Sequence, residues 1–298
     1  MNYLKFASID IGSNAIRFLL SYVFETEDGP YFRKGLLLRV PLRLGDDAFR
    51  HGRISIEKEK KLIHTMHSFK HLMATQDIVA YKAFATSAMR DAANAPYIVE
   101  HVARECGIQI DVISGEQEAD VISSDKIPEF LHVRKKKMLY VDVGGGSTEM
   151  TFYTKKEIIR ESFNIGTIRY KYDMVEPQTW NDLHDWLSKI GVKDSGVPIL
   201  GSGGNINKIY KVKRRRVSDY HITTHALQSF YEEISDLSDE QRIINYQLNP
   251  DRADVIVPAC QIFLDIIGIT GTERIYVPKM GLSDGIVRSL YEQYKSEL

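Results

Sequence analysis

YVDVGGGSTEM, Tyr140 to Met150, is the stretch on which the fold of this chain turns. An apolar strand runs into Asp142, three glycines follow, and Ser-Thr-Glu starts the way back. Gly144, Gly145 and Gly146 carry no Cβ. The backbone can therefore turn sharply and bring its N–H groups close to an anion. Asp142 before the turn and Glu149 after it are placed to hold a divalent cation or a water. A backbone cradle for phosphate beside two carboxylates points to phosphoryl chemistry.

The same idea stands at the N-terminus. FASIDIGSNAIRFLLSYV, Phe6 to Val23, reads as strand, tight turn, strand, with Asp10 closing the first strand and Gly12, Ser13 and Asn14 making the turn. Arg17 lies near the start of the second strand. A third glycine loop is PILGSGGNINKIY, Pro198 to Tyr210, in which Gly201, Gly203 and Gly204 follow a short strand. Asn205 reads as the cap of the helix after it. One glycine turn is ordinary in any α/β protein. Three in this order, two of them hairpin turns preceded by aspartate, are a pattern.

The chain has 298 residues, room for one large or two ordinary domains. A formal net charge of −1 implies no bulk polyanion-binding surface, so any attraction for phosphate is local. MNYLKFASIDIG lacks the apolar core of a signal peptide, and no run approaches the ~18 apolar residues that cross a bilayer. Cys106 and Cys260 lie far apart in apolar helical patterns and read as buried, reduced thiols. The expected location is cytoplasmic. His64, His67 and His71 share a helix face and read as a solvated face rather than a metal site. The basic runs Arg134 to Lys137 and Lys211 to Arg216 read as surface, the second able to steer a polyanion.

The order of elements repeats. A strand is expected at Leu36 to Leu44, a helix capped by Ser55 through Phe69, and a strand at Ile78 to Ala85. The loop TSAMRDAANA follows, then a helix from Pro96 to Cys106 and a strand from Ile108 to Ile113. SGEQEA opens another helix with Ser114 as its cap. After a change of domain near Val121 to Lys126, the second half repeats hairpin, strand (Glu157 to Asn164), helices and glycine loop. The expected domains are 1–122 and 123–298, with the last helix packing back on the first domain.

DIGSNAIR, ATSAMRDAAN, ISGEQEA, VDVGGGSTEM, GSGGNINKI, DRADVIVPA and GLSDGI occur in this order. Together they resemble the exopolyphosphatase/guanosine pentaphosphatase (Ppx/GppA) family over Phe6 to Tyr291. The resemblance implies an α/β fold of two ribonuclease-H-like domains, of the actin and sugar-kinase superfold, flanking a central cleft. It is closest to the short, two-domain form, which implies a preference for short polymers. It implies that Glu118 is the base that activates water, and that Asp142 and Glu149 stand near metal and water, with Asp10 helping to place the metal. The amides around Gly12, Ser13 and Asn14, around Gly144, Gly145, Gly146 and Ser147, and around Gly203, Gly204 and Asn205 would hold phosphates. Arg17 and Arg90 resemble the arginines that meet the polyphosphate chain, and Arg252 stands where a guanosine nucleotide would be gripped. Magnesium is the implied ion, with manganese as the alternative. The implied partners are inorganic polyphosphate or guanosine pentaphosphate or tetraphosphate. No membrane and no nucleic acid are expected, and a homodimer is allowed. Gln117, Asp120 and Asn205 depart from the family's usual residues and imply a changed substrate preference. Two other classes stay open: a catalytically weak sensor that binds these ligands, and, disfavoured, an ATP-dependent kinase.

Overall fold

The computed structural model describes residues 3–123, 137–213, 220–278 and 280–297. The chain divides into two compact units, Met1–Asp125 with Leu282–Leu298, and Lys126–Gly281. Residues 134–136 of the first basic run and 214–216 of the second lie outside the described residues.

In the first unit, β1 (Tyr3–Ile11), β2 (Ile16–Thr26), β3 (Gly29–Val40), β4 (Ala80–Ala85) and β5 (Ile110–Val112) form one sheet in the order β3-β2-β1-β4-β5. The first three strands are an antiparallel meander, and β4 and β5 run parallel to β1. β1 is central, and Phe6, Ala7, Ile9 and Ile11 are fully buried, as a strand covered on both faces must be. The unit's helices up to this point are α1 (Leu44–His51), α2 (Ile56–Ala74), α3 (Ser87–Asp91), α4 (Ala95–Cys106) and α5 (Gly115–Ser123). Ser55 caps α2 by accepting from Lys58 N. At α5 the cap is reciprocal: Gln117 N donates to Ser114 Oγ, and Ser114 N donates to the Gln117 side chain. The amide at Gln117 thus closes a capping box.

In the second unit the strands are β6 (Met138–Val143), β7 (Thr148–Tyr153), β8 (Ile158–Phe163), β9 (Ile199–Ser202), β10 (His221–Thr223) and β11 (Arg274–Tyr276), in the order β10-β11-β9-β6-β7-β8. Again a three-strand antiparallel meander continues into parallel strands, β9 against β6 and β11 against β9. Read from the meander outward, β8-β7-β6-β9-β11 repeats β3-β2-β1-β4-β5, and β10 is added at the far edge. Both units are ribonuclease-H-like. The helices are α6 (Thr167–Lys171), α7 (Pro177–Lys189), α8 (Gly204–Lys213), α9 (Thr224–Ser235), α10 (Asp239–Tyr246), α11 (Pro250–Ala253) and α12 (Ile256–Thr270). The last helix, α13 (Leu282–Ser296), belongs to the first unit and packs on β1, β4 and α5.

Three readings need correction. The strand expected at Leu36 to Leu44 is β3, Gly29–Val40. It is an edge strand, and Pro30, Arg33, Lys34 and Gly35 break its apolar pattern. It ends before Leu44 because Arg43 takes a left-handed conformation (φ 53°) that turns the chain into α1. Helix α2 runs on to Ala74, past Phe69. One helical stretch, Pro250–Thr270, does have the length and apolarity of a membrane span, but 61% of its apolar window is buried inside the structure. Ile256, Ile262, Phe263 and Ile266 are fully covered there, so the stretch serves as a core helix.

Both cysteines are free and buried, and burial pushes both thiols upward, Cys260 far above the ordinary range. The native protein should therefore react with neither equivalent of a thiol reagent such as DTNB. Both should react after unfolding in guanidinium. Fast labelling of the native chain would contradict this packing.

Candidate active site

The β6–β7 turn is built around its carbonyls. Gly144 N donates to Ser147 O (2.9 Å) and closes the turn. Behind it, Thr167 N donates to Gly144 O (3.0 Å), Ile168 N to Gly145 O (2.8 Å) and Arg169 Nε to Gly146 O (2.7 Å). Three successive carbonyls are thus held by the start of α6. No acceptor among the described residues takes the N–H of Gly145 or Gly146. Gly166, just before α6, lies against the turn: a Cβ there would stand 2.4 Å from Gly146 N and C.

Asp142 and Glu149 flank this turn as directly paired residues of β6 and β7. Paired residues share a face, with Cβ atoms about 4.5–5.5 Å apart. Like charges so placed repel, and hydroxyls offset this. Ser147 Oγ and Ser162 Oγ donate to Glu149 Oε1 (2.5 and 3.1 Å), and Ser202 Oγ lies 3.2 Å from Asp142 Oδ2. Glu149 is 2% exposed.

The first unit repeats this turn. Gly12 N donates to Ala15 O, and the carbonyls of Ser13 and Asn14 accept from Gly45 N (2.8 Å) and Arg43 N (2.9 Å), at the start of α1. Asp10 and Arg17 are paired as Asp142 and Glu149 are. Here the partner is a cation, and Arg17 Nη1 donates to Asp10 Oδ2 at 2.7 Å. The duplication therefore places Arg17 and Glu149 at equivalent positions, one turn balanced in charge and the other doubly acidic.

The third loop lies beside Asp142. Gly203 has φ +110°, and a Cβ there would meet Val143 O at 2.7 Å and Asp142 Oδ1 at 3.2 Å. Only glycine fits. Helix α8 begins at Gly204, so Asn205 sits inside its first turn, buried, and is not the cap. Arg252 Nη1 donates to Gly204 O (3.0 Å), tying α11 to this loop.

Glu118, near the start of α5, is 9% exposed. Arg90 Nη1, from α3, donates to Glu118 Oε2 (3.0 Å) and to Ile113 O (2.9 Å). At least part of the Arg90 guanidinium is therefore used to place Glu118. The structure thus groups Asp10, Gly12 to Asn14 and Arg17. It groups Arg90 with Glu118, and Asp142, Gly144 to Ser147, Glu149, Gly203, Gly204 and Arg252 in the second unit. Sequence reading missed Ser162, Ser202, Gly166 and Arg169. The run NIGTIR, Asn164 to Arg169, carried a signal for two of them, a glycine between a strand and a helix.

Among the described residues no group of three His, Cys, Asp or Glu is arranged to hold a metal alone, and His64, His67 and His71 are no exception. Magnesium keeps several waters and takes phosphate oxygens, and one or two carboxylates suffice for it. Asp142 and Glu149, hard oxygen donors side by side next to free amides, fit such an ion.

Comparison with known proteins agrees with this geometry. A model of the Ppx/GppA phosphatase family matches residues 36–294. A bifunctional 3-dehydroquinate synthase/phosphatase of Fusobacterium nucleatum is 27% identical over 98% of this chain and 46% of its own length. Exopolyphosphatase 1 of Mycobacterium tuberculosis is 29% identical over 50% of this chain and 42% of its own length. The chain spans less than half the length of both relatives. Among solved structures, the Aquifex aeolicus PPX-GPPA enzyme is 27% identical with a TM-score of 0.73, over 97% of this chain and 100% of that one.

Proposed function

Since the chain belongs to the Ppx/GppA phosphatase family, we propose that it is a cytoplasmic phosphoanhydride hydrolase releasing terminal phosphate from inorganic polyphosphate, preferably short chains, or from guanosine pentaphosphate. The observation that carries the reading is the β6–β7 turn: open amides at Gly145 and Gly146, with Asp142 and Glu149 on either side.

Hydrolysis of a terminal phosphoanhydride needs a water in line with the leaving oxygen and neutralisation of the charge on the equatorial oxygens. Backbone N–H groups of the turns would hold those oxygens without reorganising during the reaction. In this reading Arg17 and Arg90 add charge-assisted contacts to the phosphates, and Arg252 grips a guanosine nucleotide. Glu118, held by Arg90, accepts the proton of the attacking water, a role worth roughly 10²–10⁴ in rate. Asp142 and Glu149 would hold magnesium, or manganese in its place, and the ion would supply charge neutralisation at the phosphate oxygens.

A binding-only sensor is the second reading. What favours it is the Arg90 contact, which already occupies Glu118 Oε2. Phosphate release separates the two. Wild type with magnesium should release phosphate from tripolyphosphate, from long-chain polyphosphate or from guanosine pentaphosphate. EDTA should stop release and added magnesium restore it. No release from any of the three, with binding of guanosine tetraphosphate intact, would overturn the hydrolase in favour of the sensor.

A further inference from the structure

In a trans peptide unit the C=O and the following N–H point in opposite directions. A partner that grips a carbonyl from behind therefore aims the next amide forward. At the β6–β7 turn this happens three times in succession. The grip on Gly144 O aims Gly145 N–H, the grip on Gly145 O aims Gly146 N–H, and the grip on Gly146 O aims Ser147 N–H. The first two grips are main-chain amides of α6. The third is a side chain, the Nε–H of Arg169, a residue only 9% exposed. In the first unit main-chain amides hold the equivalent turn at Ser13 O and Asn14 O.

We propose that Arg169 is a positioning residue for phosphate binding: its buried Nε–H fixes the last peptide plane of the Gly144–Ser147 turn, so that the turn presents the Gly145 and Gly146 amides to one phosphate group. Gly166 is the second part of the device. It lets the start of α6 lie directly against the turn, since a Cβ would fall 2.4 Å from Gly146 and 2.5 Å from Gly145 C. Arg169 acts through the cradle, by its bond to Gly146 O. The proposal rests on the phosphate-turn reading above.

Two substitutions test it. In Arg169→Lys the charge stays, but a methylene takes the place of the Nε–H. In Gly166→Ala the turn must move. Tripolyphosphate binding would be followed by calorimetry and thermal unfolding by circular dichroism, alongside kcat and KM for phosphate release. Arg169→Lys should melt within a few degrees of wild type yet bind about tenfold more weakly, the range of one charge-assisted hydrogen bond. Its KM should rise by a similar factor while kcat changes little, because the cradle holds the phosphate in ground and transition states alike. Gly166→Ala should lose more binding than Arg169→Lys. A merely structural role would lower the melting temperature and leave Kd and KM alone. Wild-type affinity and KM in Arg169→Lys overturns the proposal, whatever Gly166→Ala does. Absence of tripolyphosphate binding by wild type overturns the phosphate-turn reading itself, and the proposal with it.

Discussion

Glu118→Gln should lose phosphate release by roughly 10²–10⁴-fold while still folding and still binding tripolyphosphate. Glutamine has the same shape, and its side-chain oxygen can accept the Arg90 hydrogen bond that Glu118 Oε2 accepts now. What it lacks is the charge and the capacity to take a proton from water. The loss should appear in kcat and kcat/KM together, as expected for an interaction that matters only in the transition state. Binding of tripolyphosphate should stay within about threefold, since the amides assigned to phosphate belong to the turns and not to α5. The replacement leaves the Arg90 side chain, itself only 21% exposed, facing a neutral partner, so a fall of a few degrees in melting temperature is expected. Phosphate release at the wild-type rate would remove Glu118 from the mechanism. Weak binding with a normal kcat would make it a binding residue instead.

The parts of this site that were readable in the sequence are those encoded within a few neighbouring residues. An apolar run, an aspartate and a glycine turn specify the end of a strand and its hairpin together, and both turns fold as read. Ser114 and Ser55 announce their helices because a cap acts over three residues. Strand β3 was misplaced because an edge strand need not bury either face fully, and its polar first half leaves no alternation to read. Asn205 is not the cap because Gly203 accepts φ +110°, which lets α8 start two residues earlier than a cap at Asn205 requires. The supports of the site were silent for another reason. Arg169 reaches Gly146 across 23 residues, and Ser202 reaches Asp142 across 60. Such contacts leave no periodicity in the chain. They follow from the sheet order, which sets β8 beside β7 and β9 beside β6. The substitution at Gln117 gains a meaning only in the fold, where its amide closes the capping box at the start of the helix that carries Glu118.

Gly285→Ala should be the most damaging small substitution outside the turns, because it acts on the helix that carries Glu118. Helix α13 crosses α5 with backbone against backbone. A Cβ on Gly285 would stand 2.0 Å from Val121 O and 2.7 Å from Val121 C. These are main-chain atoms inside α5, so no side chain can swing away to make room. Either α13 leaves β1, where Phe6 packs edge-on to Tyr291, or α5 moves. Overpacking of this kind typically costs about 1–3 kcal/mol. A collision with rigid backbone belongs at the top of that range, which would lower the melting temperature by roughly 5–10 °C. Val121 lies three residues after Glu118 on the same helix, so a shift of α5 carries the carboxylate with it. A displacement of about 1 Å at a reacting group can cost 10²-fold in rate. The folded fraction of Gly285→Ala should therefore also turn over at least tenfold more slowly. Gly268→Ala is the control. Gly268 is exposed in α12, a Cβ there meets nothing within 4 Å, and alanine favours the helix by roughly 0.8–1 kcal/mol. The same one-methyl change should therefore stabilise at Gly268 and destabilise at Gly285. Equal melting temperatures and equal kcat for both variants would mean that α13 does not set the position of α5.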